Sequence, residues 1–86
     1  LTLLLAKQLG PRGITVNSLC PGVIDTDMNA AMLSDPAAQR YVESIAALGR
    51  VGTVDDVAGA AAFLASGDAR WVTGQKLDVS GGSFIG

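Results

Sequence analysis

The sequence predicts an α/β chain built on a parallel sheet, and three observations carry that expectation. Apolar residues recur at helical spacing over 1–9 and 54–65, whereas β-type runs occur only at 14–20 and 75–79. A long crossover containing two helical stretches separates those runs, and that is how parallel strands are joined. Two such strands leave both sheet edges uncovered. Either partners complete the layer or the chain is an excerpt from a larger doubly wound domain. The chain also opens at Leu1, inside an apolar run and without a methionine, which adds to the expectation of an excerpt.

Each element follows from local pattern. Leu1, Leu4, Leu5 and Leu9 fall on one helical face, with Thr2, Lys7 and Gln8 turned away, and Gly10-Pro11 stops the helix through a left-handed glycine and a proline. Ile14 to Cys20 reads as a strand ended by Pro21-Gly22. Val23 to Met28 reads as a loop and Asn29 to Leu33 as one helical turn. A helix from Pro36 to Ala47 follows, opened by the Ser34-Asp35-Pro36 cap. Gly49-Arg50-Val51-Gly52 is a turn. Thr53-Val54-Asp55-Asp56 resembles a capping box, with both aspartates at the positive end of the helix dipole. Val54, Val57, Ala58, Ala61, Leu64 and Ala65 form that helix's apolar stripe, and Ser66-Gly67-Asp68 breaks it. Thr73-Gly74 leads into a second strand, Gln75 to Val79, closed by Gly81-Gly82.

Composition removes several function classes. Six Lys and Arg are scattered among eight Asp and Glu, for a net charge of −2, so no basic stripe exists to neutralise a nucleic-acid backbone. Histidine is absent, which excludes imidazole bases and His-containing metal sites, and no metal site is expected. The single cysteine, Cys20, has no internal disulfide partner and suits a reducing compartment, so a cytoplasmic location is expected. Charges interrupt every apolar run short of a bilayer span, so no membrane partner is expected, and no secretory signal is expected either.

The chemistry-bearing stretch is the rim after the first strand, because open parallel sheets bind ligands beyond the carboxyl ends of their strands. There Gly22 permits close approach of a flat ligand, Ile24 offers a backbone N–H and C=O, and Thr26 offers a hydroxyl. Together they suit a carboxamide and a phosphate oxygen; a plain strand-ending turn is the competing reading. Asp25 and Asp27 stand two apart without a third ligand and read as exposed turn residues. Cys20 lacks a basic neighbour and reads as a structural thiol. Trp71, Phe63 and Phe84 read as core or subunit-contact residues, and Ser80-Gly81-Gly82 as a turn.

Residues 16–26, with the Pro-Gly-x-x-x-Thr turn, resemble the short-chain dehydrogenase/reductase family. Arg50-Val51-Gly52, Asp55-Asp56-Val57-Ala58, Phe63-Leu64, Thr73-Gly74-Gln75 and Val79-Ser80-Gly81-Gly82 are similar to that family's C-terminal end, in order and spacing. Leu1 to Val16 resembles the connection after its active site, so the likeness covers nearly the whole chain. It implies the C-terminal portion of a Rossmann-type doubly wound parallel sheet, with two strands and about three helices, forming one segment (1–86) of a single domain that is incomplete without its N-terminal strands. It also implies an NAD(P)-dependent oxidoreductase acting on an alcohol/carbonyl couple, with NAD or NADP as cofactor of the parent enzyme.

By the same resemblance Pro21 and Gly22 shape the nicotinamide side of the cofactor pocket, with Val23 flanking them. The Ile24 backbone holds the carboxamide, and the Thr26 hydroxyl contacts the carboxamide or the pyrophosphate. Residues 27–47 correspond to a substrate lid, and 53–65 with 75–79 to a surface that pairs subunits of a homo-oligomer. The family's glycine-rich phosphate loop is absent, and so is its Tyr-x-x-x-Lys pair: Tyr41 is followed four residues on by Ile45, while Lys7 and Lys76 are preceded four back by Leu3 and Val72. No catalytic residue is therefore assigned, and the chain alone is expected to be inactive. A non-catalytic association module, pairing with itself or with an intact relative, is the alternative.

Overall fold

The structure is a computed structural model and describes residues 1–83; Phe84 lies outside the described residues. It contains α1 (Thr2–Leu9), β1 (Ser18–Pro21), α2 (Ala30–Leu33), α3 (Pro36–Ile45), α4 (Val54–Ala65) and β2 (Lys76–Val79), with short 3-10 turns between several of them. β1 and β2 pair in parallel, Ser18 opposite Lys76 through Pro21 opposite Val79. The expected α/β class and parallel crossover are observed.

β1 is shorter than the apolar run that announces it and begins at Ser18 rather than Ile14. Upstream of Ser18 the run is held by a mixture of backbone and side-chain bonds, among them the Gly74 N–H to the Val16 carbonyl at 2.8 Å. The Val16 N–H donates to the Thr73 hydroxyl at 3.0 Å, and the Asn17 amide donates to the Val72 carbonyl while accepting from the Gln75 N–H. Asn17 thus fastens the turn that precedes β2, and the ladder opens where Ser18 N–H reaches the Gln75 carbonyl at 2.8 Å. It closes where Gly22 N–H reaches the Val79 carbonyl at 3.0 Å. Backbone direction alternates along a strand, so Ser18, Cys20 and Gly22 address β2 while Leu19 and Pro21 address the opposite edge. Proline has no N–H, and it occupies the phase in which β2 requires none.

The helices differ from expectation in which side faces inward. In α1 the inner residues are Thr2, Leu5, Ala6 and Leu9, with the Thr2 hydroxyl against that of Ser18; Leu1, Leu3 and Leu4 are exposed. Of the leucine face read from the sequence, Leu5 and Leu9 turn inward as expected; Leu1 and Leu4 do not, and Thr2 turns inward rather than away, with Ala6 close to Gly74. Its stop is also displaced. Gly10 keeps right-handed helical angles, Pro11 enters a 3-10 turn, and the left-handed residue is Gly13 at φ 74°. In α4 the inner positions are Asp56, Val57, Ala60 and Leu64, whereas Val54, Ala58, Ala61 and Ala65 are exposed. α3 ends at Ile45, two residues early, with Asp35 capping it through the Ala37 N–H. The Thr53–Asp56 capping box forms as expected.

Among the described residues only Ala6, Ile24, Val42, Ala46 and Ala69 are buried. The radius of gyration is 15.5 Å, where a compact chain of this length has about 12 Å. The accessible surface is 6071 Å², against about 4,700 Å² for a compact monomer of this mass. Trp71 is 96% exposed and Phe63 is exposed as well, so neither is a core residue here.

Gly22 and Gly10 respond oppositely to a methyl group. A Cβ on Gly22 would lie 2.9 Å from Ser80 Cα and Cβ, so Gly22→Ala is expected to destabilise by about 1–3 kcal/mol through overpacking. Gly10, with nothing within 4 Å and helical angles, is expected to gain about 0.4–1 kcal/mol as alanine. Urea denaturation of the two variants measures both signs.

Candidate functional site

Beyond Gly22 the chain leaves the ladder, and residues 23–25 have a single backbone partner among the described residues, Gly52. Gly52 N–H donates to the Val23 carbonyl at 3.1 Å, and Asp25 N–H donates to the Gly52 carbonyl at 2.9 Å, which makes a parallel bridge between Ile24 and Gly52. In such a bridge the flanking residues supply the hydrogen bonds, so the N–H and C=O of Ile24 itself point to the other side. There the Ile24 carbonyl accepts from the Asn29 amide at 2.9 Å, leaving a second lone pair. The Ile24 N–H has no partner among the described residues, although the residue is only 8% exposed. Buried backbone donors are rarely left unpaired.

Thr26 stands two residues on, half-buried, as the N-cap of the 3-10 turn Asp27–Asn29. Its hydroxyl makes no capping bond; the turn is held by the Asn29 N–H to the Thr26 carbonyl at 3.0 Å. Three polar groups, the Ile24 N–H and C=O and the Thr26 Oγ, are thus close in sequence at the carboxyl end of β1, with bonding capacity unspent. A carboxamide needs one donor and one acceptor from its host, and Ile24 supplies both; a phosphate oxygen accepts from a hydroxyl such as Thr26. The residues fit a nicotinamide dinucleotide in this respect.

Gly22 serves a different purpose from the one its position in the turn suggests. The space a side chain would take is filled by Ser80, so its bareness admits the end of β2 rather than a ligand. Pro21 is exposed and Val23 half-buried. Asp25 and Asp27 are exposed, and among the described residues no group of three or more His, Cys, Asp or Glu side chains gathers to hold a metal. Cys20 is half-buried and free.

Arg50, Gly52 and Asp56 stand in motifs that the sequence shows, but the pairing of Arg50 with Asp56 does not follow from it. Arg50 forms a forked ion pair with Asp56, Nη1 to Oδ2 at 2.6 Å and Nη2 to Oδ1 at 3.1 Å, and Nη1 also donates to the Val51 carbonyl. The same Asp56 carboxylate accepts the Thr53 N–H at 2.8 Å. Hydrogen bonds from Arg50, and then from Thr53, hold the Asp56 carboxyl well below the usual carboxylate range, and Asp56 in turn raises Arg50 above its ordinary value. The available signal was an Arg shortly before a capping-box acid, with a glycine between them. An open groove of about 420 Å³ lies on this side, lined by residues that include Ile24, Leu48, Arg50, Gly52, Asp56 and Leu77. It does not include Pro21, Gly22 or Thr26.

Comparison with known proteins identifies the family and the fold. A family profile described as Enoyl-(Acyl carrier protein) reductase matches residues 1–83. The chain is 46% identical over 85 residues to 3beta-hydroxysteroid dehydrogenase 1 of Eggerthella lenta, covering 99% of this chain and 33% of that protein. It is 49% identical over 80 residues to L-rhamnose 1-dehydrogenase (NAD(P)(+)) of Azotobacter vinelandii, covering 93% and 31%. A short-chain type dehydrogenase/reductase from Mycobacterium ulcerans superposes with a TM-score of 0.93 at 39% identity, over 98% of this chain and 30% of that one. A 4-hydroxyisoleucine dehydrogenase complexed with NADH superposes with a TM-score of 0.93 at 32% identity, over 99% and 35%. The chain belongs to the short-chain dehydrogenase/reductase family, and its two strands and their helices are part of a Rossmann-type sheet. It spans about a third of the length of the curated relatives it matches.

The depressed Asp56 carboxyl sets a sign for acid. The folded state binds its proton less readily than the unfolded chain, so the contribution of the pair is complete above about pH 4 and is lost as pH falls further, towards the lowered folded value. Thermal midpoints between pH 5 and 2 are expected to fall more steeply for the wild type than for Asp56→Asn.

Proposed function

We propose that residues 1–86 are the C-terminal segment of a single Rossmann-type domain in an NAD(P)-dependent oxidoreductase acting on an alcohol/carbonyl couple. The observation that carries the reading is the Ile24 N–H, without a partner among the described residues, in a nearly buried residue on the rim of a parallel sheet. In it the Ile24 N–H and C=O bind the carboxamide and fix which ring face meets the substrate. The Thr26 hydroxyl donates to a phosphate or carboxamide oxygen. Pro21 and Val23 close the nicotinamide side, and Gly22 keeps that wall seated on β2. When bound, the nicotinamide supplies or accepts the hydride exchanged with the carbonyl carbon.

Residues 27–47, with Met28 and Tyr41 exposed, form the cover over the substrate. The relatives act on a steroid and on a sugar, so the substrate class is set by this cover and by residues beyond the chain. The half-buried thiol of Cys20 suits a reducing compartment, and we place the protein in the cytoplasm.

One set of observations favours the second reading, an association module. The surface is larger than that of a compact monomer, the Leu19 and Pro21 edge of the sheet is unpaired among the described residues, and Val54, Phe63 and Leu77 are exposed on 53–65 and 75–79. In the oxidoreductase these last residues serve the homo-oligomer contact. In the module they are the function.

Neither Tyr41 nor any lysine here completes a Tyr-x-x-x-Lys pair, so the purified chain is expected to oxidise neither NADH nor NADPH in the presence of a carbonyl compound. Spectrophotometry at the reduced-nicotinamide band measures this, and turnover by the chain alone would overturn the assignment of a binding wall without reacting groups. Sedimentation separates the second reading: the module requires a dimer or larger species, and a compact monomer excludes it.

A further inference from the structure

We propose that Arg50 and Asp56 are positioning residues for the dinucleotide, bracing the turn whose Gly52 aims the Ile24 backbone at the carboxamide. The inference rests on the proposed function and concerns how that site is held.

Residues 23–25 lie outside the sheet ladder, and Gly52 is their only backbone partner among the described residues. The direction of the Ile24 N–H and C=O is therefore set by where Gly52 sits, together with the Asn29 amide on the Ile24 carbonyl. Gly52 has no side chain to anchor it and lies half-buried just beyond an exposed turn at Gly49, which takes the left-handed φ of 73°. What fixes it is Asp56, in the first turn of α4. One carboxylate grips the turn at both ends, through the Arg50 guanidinium and the Thr53 N–H, while Arg50 Nη1 reaches the Val51 carbonyl between them. A fork of two parallel hydrogen bonds restricts direction as well as distance.

The fit on the far side is tight. A Cβ on Gly52 would stand 2.7 Å from Ile24 Cδ1, so the Ile24 side chain occupies the place a larger residue would need. Helix α4, the 50–53 turn, Gly52 and Ile24 thus form one mechanical chain that ends on the two polar groups proposed to read the carboxamide. An exposed ion pair contributes little to global stability, so loosening it should show in ligand discrimination before it shows in folding.

The test uses the intact oxidoreductase that carries this segment, with dissociation constants for the reduced dinucleotide and for ADP-ribose (or its 2′-phosphate for an NADP enzyme) measured by calorimetry. ADP-ribose keeps the diphosphate and lacks the carboxamide. Arg50→Ala and Asp56→Asn are expected to weaken the dinucleotide about tenfold, the worth of a misaligned hydrogen-bond pair, while changing ADP-ribose less than about twofold. Arg50→Lys, which keeps a cation without the fork, should fall between. Asp56→Asn retains an acceptor for the Thr53 N–H, so the helix start survives the change. Gly52→Ala, acting on Ile24 directly, should give the same pattern. Ser66→Ala, at the far end of α4 where the hydroxyl meets the Phe63 carbonyl, should leave the ratio of the two affinities unchanged. Parallel weakening of both ligands, or an unchanged ratio in Arg50→Ala and Asp56→Asn, overturns the inference and leaves the function standing. A wild-type enzyme that binds neither ligand removes the proposed function and this inference together.

Discussion

Parallel pairing of Ser18–Pro21 with Lys76–Val79 is the constraint on which the rest of the molecule hangs. Parallel strands cannot be joined by a tight turn, so α2, α3 and α4 must all be accommodated within one crossover. The register is fixed by a short ladder reinforced at its entrance by Asn17, whose amide engages both Val72 and Gln75. At its exit the bare face of Gly22 lets Ser80 close in. Because the strands run the same way, the loop after β1 and the turn after β2 emerge at the same end. Gly22 therefore lies against Ser80, and Leu48 N–H reaches the Gly81 carbonyl at 2.9 Å, tying the crossover back to the rim.

A ladder this small cannot bury much. Three of the five buried residues are alanines, so the apolar surface that elsewhere drives folding is largely still in water. Order in the site thus comes from directional contacts rather than from pressure of a core: the Ile24–Gly52 bridge, the Asn29 amide on the Ile24 carbonyl, and the forked Arg50–Asp56 pair. Such contacts fix orientation well and contribute modestly to stability. The proposed carboxamide wall has both properties.

Local chemistry was legible in the sequence, and long-range placement much less so. Thr53 and Asp56 announce a capping box, and Asp35-Pro36 announces a helix start, because each depends on neighbours a few residues away. The parallel order followed from a connection too long for a hairpin. Helix faces were misread for a physical reason: Leu1 and Leu4, like Ala58 and Ala61, lie on faces for which the described residues supply no cover, so apolarity alone does not report which side turns inward. Gly22 and Ile24 were recognisable as rim residues, but Gly22's contact with Ser80 and Ile24's dependence on Gly52 join distant positions without any local pattern. Arg50 illustrates the same limit, since a lone arginine six residues before its partner looks like any solvated cation.

Pro21 has a consequence for how the binding rim opens. It occupies the phase of β1 that faces away from β2, and it is the last residue of that strand. Any strand laid along that margin finds a donor at Leu19 and none at Pro21, so the zipper of amide bonds must stop one tooth short. The gap it leaves coincides with the point where Val23 and Ile24 swing away. A covalent ring in the main chain thus limits how far pairing along that margin can run, whatever strand lies beside it.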